Sequence, residues 1–307
     1  MIEHPAQLKL VDLFKEFTAY AILERCLEPT TIGWYDATIK SFYKHLRRRV
    51  IPATLDSLNV DTLRDFLIYQ RQQGNSPRTI INLLKGLRSF CTFLVKRGHL
   101  VKNPFDGMEK PKLPRKLPEF LDEEEARGLL RVCLDRKLFY KSQYYRDVAI
   151  IAMFLFTGVR LKELLNLRLP DLNLERGYIK VSAKNKERLI PLNETVVEYL
   201  KDYLKVRPQR TIDNVFVSTN RKDKALTREG LYNLFGELRR KLKLPKKISP
   251  QILRHTFCTL MLRSGVNIRD IQLLVGHSDI STTAKFYLGC DPGQLKGAIE
   301  KHPLNLN

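Results

Sequence analysis

The sequence predicts a mainly α-helical protein with a small antiparallel β-sheet: an N-terminal helical bundle followed by a C-terminal α+β domain. Three observations predict it. Apolar residues recur at three- and four-residue spacing through four segments of the first hundred residues, which is the period of one helix face. A proline-dense stretch around Pro104, Pro111, Pro114 and Pro118 then breaks that pattern. Beyond it, Tyr178-Ile179-Lys180-Val181 and Arg188-Leu189-Ile190-Pro191 flank a short polar turn and read as a hairpin among further helical stretches. At 307 residues the chain is long enough for two domains of ordinary size.

The first helix is expected over Leu8 to Leu23, with Leu10, Leu13, Phe14, Phe17 and Ile22 at helical spacing. Thr30-Thr31 can cap a second, running through Trp34, Ile39, Phe42, Tyr43 and Leu46 into the basic run Arg47-Arg48-Arg49. Asn59 to Gln73 reads as a third, stopped by Gly74. Ser76-Pro77 is a cap followed by proline at the first helical position, and opens a fourth through Ile80, Leu84, Leu87, Phe90 and Leu94 to Gly98. These four helices make a bundle domain over residues 1–103. Residues 104–118, with Lys110, Lys112, Arg115 and Lys116 among the prolines, read as an extended basic linker.

The second domain is expected over residues 119–307. Asp122-Glu123-Glu124-Glu125 sets acidic residues in the first turn of a helix, where they complement its dipole. Asp147 to Phe156 is almost wholly apolar and is expected as a buried helix. Further helices fit 193–205, 227–243, 249–264 and 267–275, and a short helix fits Gln294 to Ile299 in the tail.

Composition narrows the class of function. Hydrophobic residues make up 43% and charged residues 28%, a globular balance with too many apolar residues for disorder. The 54 Lys+Arg against 33 Asp+Glu give a net charge of +21, shared as +7 over residues 1–113 and +14 over the rest. Charge of that size on both parts points to a polyanion, nucleic acid first and an acidic membrane surface second. No apolar run approaches the ~18–20 residues of a membrane span, and Met1-Ile2-Glu3-His4-Pro5 lacks the layout of a signal peptide. Five cysteines, far apart and free of CxxC spacing, point to reduced thiols in a cytosolic compartment, with neither a disulfide framework nor a zinc site. The histidines are equally scattered, and GxxxxGK[ST] and GxGxxG are absent, so no metal or nucleotide cofactor is expected.

Four separated stretches carry a resemblance. They are Thr157-Gly158-Val159-Arg160-Leu161-Lys162-Glu163-Leu164, Lys184-Asn185-Lys186-Glu187-Arg188-Leu189-Ile190-Pro191-Leu192, Gln251-Ile252-Leu253-Arg254-His255, and Gly276-His277-Ser278-Asp279 followed by Thr282-Thr283-Ala284-Lys285-Phe286-Tyr287. In order and separation they resemble the tyrosine recombinases, or phage-integrase family, over almost the whole chain. Pro111-Lys112-Leu113-Pro114 and Asn185-Lys186-Glu187-Arg188 look closest to the compact Xer-type branch. The resemblance implies a SAM-like core-binding domain before a catalytic domain, and a site-specific DNA recombinase that cleaves and rejoins strands through a 3′-phosphotyrosyl bond. It implies no metal and no nucleotide hydrolysis. The partners it implies are double-stranded DNA at a specific site, clamped between the two domains, and a tetramer on two sites. That tetramer is of one chain or shared with a sister recombinase. The expected location is the cytoplasm, at the nucleoid, and the expected task is chromosome-dimer resolution in chromosome partition.

The resemblance also assigns roles. Tyr287, ten residues after His277, matches the nucleophile; a phenol with a pKa near ~10 needs a charged neighbourhood to attack at neutral pH. Arg160 and Arg254 match the arginine pair, whose forked donors grip the nonbridging phosphate oxygens. Lys184, with Lys186 as its rival, matches the hairpin lysine that protonates the leaving 5′ oxygen, in a turn one residue shorter than the family's common Gly-Lys-Gly-Asn-Lys form. His277 would hydrogen-bond the phosphate or the developing phenolate. Glu163 is either a carboxylate orienting a cationic site residue or an ordinary helix salt bridge.

One position departs from the pattern. Gln251 stands where the family usually has histidine, three residues before Arg254. An amide donates a hydrogen bond but exchanges no proton, and His255, the next helical position after Arg254, points about 100° away from it. Three alternatives therefore stand beside a chromosome-dimer resolvase. They are a mobile-element integrase or transposase of the same chemistry, a DNA-binding protein that has lost catalysis, and a topoisomerase.

Overall fold

The helical period of the N-terminal sequence becomes α1 (Leu10–Leu23), α2 (Pro29–Arg48), α3 (Val60–Gln72) and α4 (Pro77–Lys96). The computed structural model describes residues 8–108, 118–135, 141–183, 186–219 and 223–276. The chain divides into two units, Met1–Arg115 and Lys116–Asn307. In the first, α4 packs on each of the other three helices. Its apolar stripe of Ile80, Leu84, Leu87, Phe90 and Leu94 is buried, the last four in one core with Phe17, Phe42 and Phe66. Ring pairs such as Phe42–Phe66, 5.3 Å apart and edge-on, fix how the helices interlock.

The helix starts show which local signals act. Ser76 caps α4 by accepting from the Thr79 amide at 3.2 Å, with Pro77 in the first turn. Helix α2 begins one residue before the expected threonine cap: Glu28 holds the cap position without a side-chain bond, and Thr30 and Thr31 lie inside the first turn. The reason is Pro29, whose fixed φ is already helical at the first position. Residues after α4 stay with this unit as far as they are described. Phe105 is buried in its core, the Arg88 guanidinium donates to the Phe105 carbonyl at 2.5 Å, and Asn103 donates to Thr92 Oγ1 at 2.9 Å. Residues 109–117 of the expected linker lie outside the described residues.

The second unit runs α5 (Glu123–Leu134), α6 (Lys141–Thr157), α7 (Leu161–Asn166), β1 (Leu172–Asn173), β2 (Tyr178–Ala183), β3 (Lys186–Pro191), α8 (Glu194–Val206), α9 (Arg228–Leu242), α10 (Pro250–Arg263) and α11 (Ile268–Val275). Asp122 and Glu125 close a reciprocal capping box at the start of α5, with bonds of 2.8 and 2.9 Å. Helix α6 is the axis of the unit, packed by α5, α8 and α10. Every residue from Arg146 to Leu155 is buried, as expected of a helix apolar on all sides. Its described part runs from Lys141, ahead of the apolar run, and its two buried charged members neutralise each other. Arg146 bonds Asp147 Oδ1 at 2.8 and 3.0 Å and donates to the Val217 carbonyl at 3.1 Å.

The sheet has three antiparallel strands in the order β1-β2-β3. Its register sets Ile179 opposite Ile190 and Val181 opposite Arg188, up to Ala183 opposite Lys186. Ile179, Val181 and Ile190 are buried while Leu189 is exposed. Side chains alternate along a strand, so Arg188 shares the inward face with Ile190. Among the described residues no helix is long and apolar enough to cross a membrane.

Candidate active site

Helix α6 ends at Thr157, whose hydroxyl turns back to the Met153 carbonyl at 2.5 Å. Gly158 follows with φ +60°, a left-handed conformation that turns the chain into α7. A Cβ there would stand 2.5 Å from Phe257 Cδ1, so the position excludes a side chain on two grounds. The turn aims the Gly158 carbonyl at α10, where it accepts from Arg254 Nη1 at 2.5 Å. It also sets Arg160 at the start of α7, where its backbone amide donates to Glu163 Oε2 at 2.8 Å and its side chain to Oε1 at 2.7 Å.

The far wall of the site is the C-terminus of α11, closed by Gly276 at φ +63°. The last carbonyls of a helix have no partner within it, and they carry the negative end of its dipole. Here three consecutive ones each accept from a different arginine. Leu274 accepts from Arg188 Nε at 3.1 Å and Val275 from Arg254 Nη2 at 2.5 Å. Gly276 accepts from Arg160 Nη2. Guanidiniums delivered by α7, β3 and α10, remote in sequence, thus converge on one helix end immediately before His277.

Glu163 lies inside this cluster with its side chain fully buried. Arg188 takes both carboxylate oxygens, Nη1 to Oε1 at 2.5 Å and Nη2 to Oε2 at 3.0 Å. Burial pushes the Glu163 carboxyl up, but the Arg188 side chain and the Arg160 amide outweigh it, and the net shift is downward. Arg254, 8% exposed, is pulled down to about 10, first by burial and then by Arg160, and stays a cation at neutral pH. Three guanidiniums against one carboxylate leave a concentrated positive charge. The side chain of Arg160 is 34% exposed and that of Arg188 17%, so Arg160 is the more open of the two partners of Glu163. Removing one partner from a buried ion pair typically costs about 3–5 kcal/mol, which makes the cluster rigid.

The structure therefore brings Arg160, Arg254 and Glu163 together, and adds Arg188, which sequence reasoning did not single out. The available signal was parity: Arg188 is two residues from the buried Ile190, and an arginine on an inward strand face needs a partner. Gln251 lies in the first turn of α10, one turn before Arg254, with its side chain exposed. His255 is directed elsewhere, its Nδ1 3.2 Å from the Glu119 carbonyl, and burial lowers its pKa. Lys186 begins β3. Lys184, His277 and Tyr287 lie outside the described residues, as does the expected helix from Gln294.

Comparison with known proteins gives matches along nearly the whole chain. Residues 119–292 match the phage integrase family, and residues 14–98 match the phage integrase N-terminal SAM-like domain. The chain is 35% identical to the tyrosine recombinase XerD of Staphylococcus haemolyticus over 276 residues, covering 88% of this chain and 92% of that one. Among solved structures, the Tn1549 transposon integrase in complex with a circular intermediate DNA is 21% identical with a TM-score of 0.78, covering 96% and 100% of the two chains. The XerH site-specific recombinase bound to palindromic difH substrate is 23% identical with a TM-score of 0.74, covering 94% and 83%.

Proposed function

The chain belongs to the phage integrase family and is an Xer-like tyrosine site-specific recombinase, a DNA breaking–rejoining enzyme, and from that premise we propose that Arg160, Arg254, Lys184, His277, Gln251 and Tyr287 act on one phosphodiester. Tyr287 Oη gives up its proton to solvent and attacks phosphorus. A 3′-phosphotyrosine bond forms as the bond from phosphorus to the 5′ oxygen breaks. Arg160 and Arg254 offset the charge that spreads over the nonbridging oxygens in the transition state. Lys184 gives its proton to the departing 5′ oxygen, which leaves as a hydroxyl. His277 hydrogen-bonds the phosphate or the developing phenolate, and Gln251 donates one neutral hydrogen bond. Attack by a 5′ hydroxyl of the partner strand reverses each bond change and rejoins the DNA. The phosphotyrosine conserves the bond energy, so the exchange calls for no nucleotide hydrolysis.

The observation that carries this reading is the convergence of Arg160 and Arg254 on adjacent carbonyls, Gly276 and Val275, at the residue before His277. Two forked cations fixed that close suit a phosphate, and the +21 charge of the chain suits the duplex around it. Residues 1–103 serve as the core-binding domain, 104–118 as the linker, whose first residues through Met108 pack on that domain, and 119–307 as the catalytic domain. The working form is a tetramer on two DNA sites, of this chain alone or with a sister recombinase. An apolar groove along Phe156, Leu192, Leu260, Met261 and Leu274 supports docking of a neighbour's tail from Gln294 onward. The XerD likeness favours chromosome-dimer resolution in the cytoplasm over integration of a mobile element.

The test is Tyr287→Phe, which removes one oxygen and little volume. Binding to site DNA should persist, and the SDS-resistant adduct with a nicked duplex should vanish. A Phe variant that still forms the adduct has another nucleophile. A parent that binds but never forms an adduct is a DNA-binding protein without catalysis.

A further inference from the structure

Arg188 lies at the back of the arginine cluster with its side chain 17% exposed, and its contacts point to a task that the arginine pair cannot perform for itself. Both oxygens of Glu163 are taken by the Arg188 fork, at 2.5 and 3.0 Å. Oε2 also accepts the Arg160 backbone amide at 2.8 Å. The Arg160 guanidinium is left a single contact with Glu163, Nη1 to Oε1 at 2.7 Å, while its Nη2 is drawn off to the Gly276 carbonyl. An arginine beside a buried carboxylate would otherwise close on it with a two-pronged bidentate grip. Such a pair is neutral and has little left for a phosphate.

We propose that Arg188 is a positioning residue that saturates Glu163 so that the Arg160 guanidinium keeps its charge and its free donors for the scissile phosphate. With Arg188 present, Arg160, Arg188 and Arg254 outnumber the one carboxylate, and the surplus charge faces the open side through Arg160. Without it, Glu163 neutralises Arg160 and the surplus falls to that of Arg254 alone. The third bond of Arg188, Nε to the Leu274 carbonyl at 3.1 Å, holds the α11 terminus in register while it does so. A Cβ at Gly276 would lie 3.1 Å from the Arg188 side chain, so the helix end and the arginine are closely fitted. The inference rests on the reading of Arg160 as a phosphate ligand.

The experiment compares single-turnover cleavage of two nicked duplexes. One carries the ordinary phosphate, and the other a methylphosphonate, in which a methyl group replaces one charged nonbridging oxygen. The neutral centre has no charge for Arg160 to offset. Arg188→Met should slow cleavage of the phosphate about tenfold to a hundredfold, the scale of a misplaced catalytic group. It should slow the methylphosphonate less than about threefold. Adding Glu163→Gln to Arg188→Met should recover part of the phosphate rate, because no carboxylate then neutralises Arg160. A purely structural role predicts equal slowing on both duplexes and no recovery, and either result overturns the proposal. Should Arg188→Met fail to fold, Arg188→Lys decides, since an ammonium offers Glu163 a point charge instead of the fork. Slowing confined to the phosphate supports the proposal, and equal slowing or none overturns it. Arg160→Ala on the same duplexes separates the two readings. If its defect is not relieved on the methylphosphonate, Arg160 is not the phosphate ligand. If it is relieved while the Arg188 variants slow both duplexes alike, Arg160 keeps its role and Arg188 loses the one proposed.

Discussion

Gly158→Ala perturbs the site without touching a charged group, and its cost can be worked from the structure. At φ +60° an alanine sits in the left-handed region, which costs an L-residue about 1–2 kcal/mol. Its Cβ would lie 2.5 Å from Phe257 Cδ1 and 3.1 Å from Val275 Cγ1. Phe257 and Val275 pack together with Cys258 and Ile271, so the ring cannot swing aside without disturbing the contact between α10 and α11. Overpacking of this kind costs about 1–3 kcal/mol, giving about 2–5 kcal/mol in all. The same shift displaces the carbonyl that receives Arg254, and cleavage should fall about tenfold or more. Urea unfolding at constant m reads the first effect and single-turnover cleavage the second. Gly33→Ala is the control, since nothing lies within 4 Å of its Cβ in the second turn of α2. It should stabilise the protein by up to about 1 kcal/mol. A Gly158→Ala protein as stable as the parent and equally fast would refute the reasoning that this turn sets Arg254.

Three further outcomes are expected. Lys184→Ala should block cleavage of normal DNA but matter much less when sulfur replaces the leaving oxygen, since a thiolate departs without a proton; rescue seen only for Lys186→Ala would move the role to that residue. Gln251→Ala should slow cleavage about tenfold to a hundredfold, at or below the lower end for a donor aimed at a transition-state oxygen, and Gln251→His should be equal to the parent or faster; an Ala form as fast as the parent would mean that Gln251 does not touch the phosphate. The Glu163 carboxyl is held below its ordinary range in the folded protein, so the stability it contributes is present above its unfolded pKa and is lost as pH falls through the folded one. Glu163→Gln should therefore show a shallower loss of stability in acid than the parent, and parallel acid limbs would contradict the ion-pair account.

The bundle and the main helices were legible because their signals are local. Four apolar stripes, the Ser76-Pro77 start and the acidic first turn at Asp122–Glu125 are each readable within a few residues. The ends moved where a neighbour overrode a local preference, as when Pro29 set the start of α2 ahead of the two threonines. Residues Lys141–Arg146 of α6 are not legible because that stretch carries no apolar pattern, and the charged pair Arg146–Asp147 is satisfied only in three dimensions. At the site, Arg160, Glu163 and Arg254 are singled out by the family resemblance, and they do meet. Arg188 lay in one of the same motifs and was passed over, because its partners, Glu163 and the Leu274 carbonyl, are 25 and 86 residues away. Whether Glu163 was a surface salt bridge or a buried anchor was likewise a question of burial, which spacing does not carry.

The central claim is that the arginine cluster serves a single phosphodiester attacked by Tyr287, and identifying the bond formed tests it most directly. Parent protein is trapped on a nicked duplex, the adduct is digested with trypsin and nuclease, and the modified peptide is sequenced by mass spectrometry. The account predicts a nucleotide joined through its 3′ phosphate to the peptide Phe286–Lys296, on the oxygen of Tyr287. A phosphate carried on any other residue, or a nucleotide attached through its 5′ end, would contradict it.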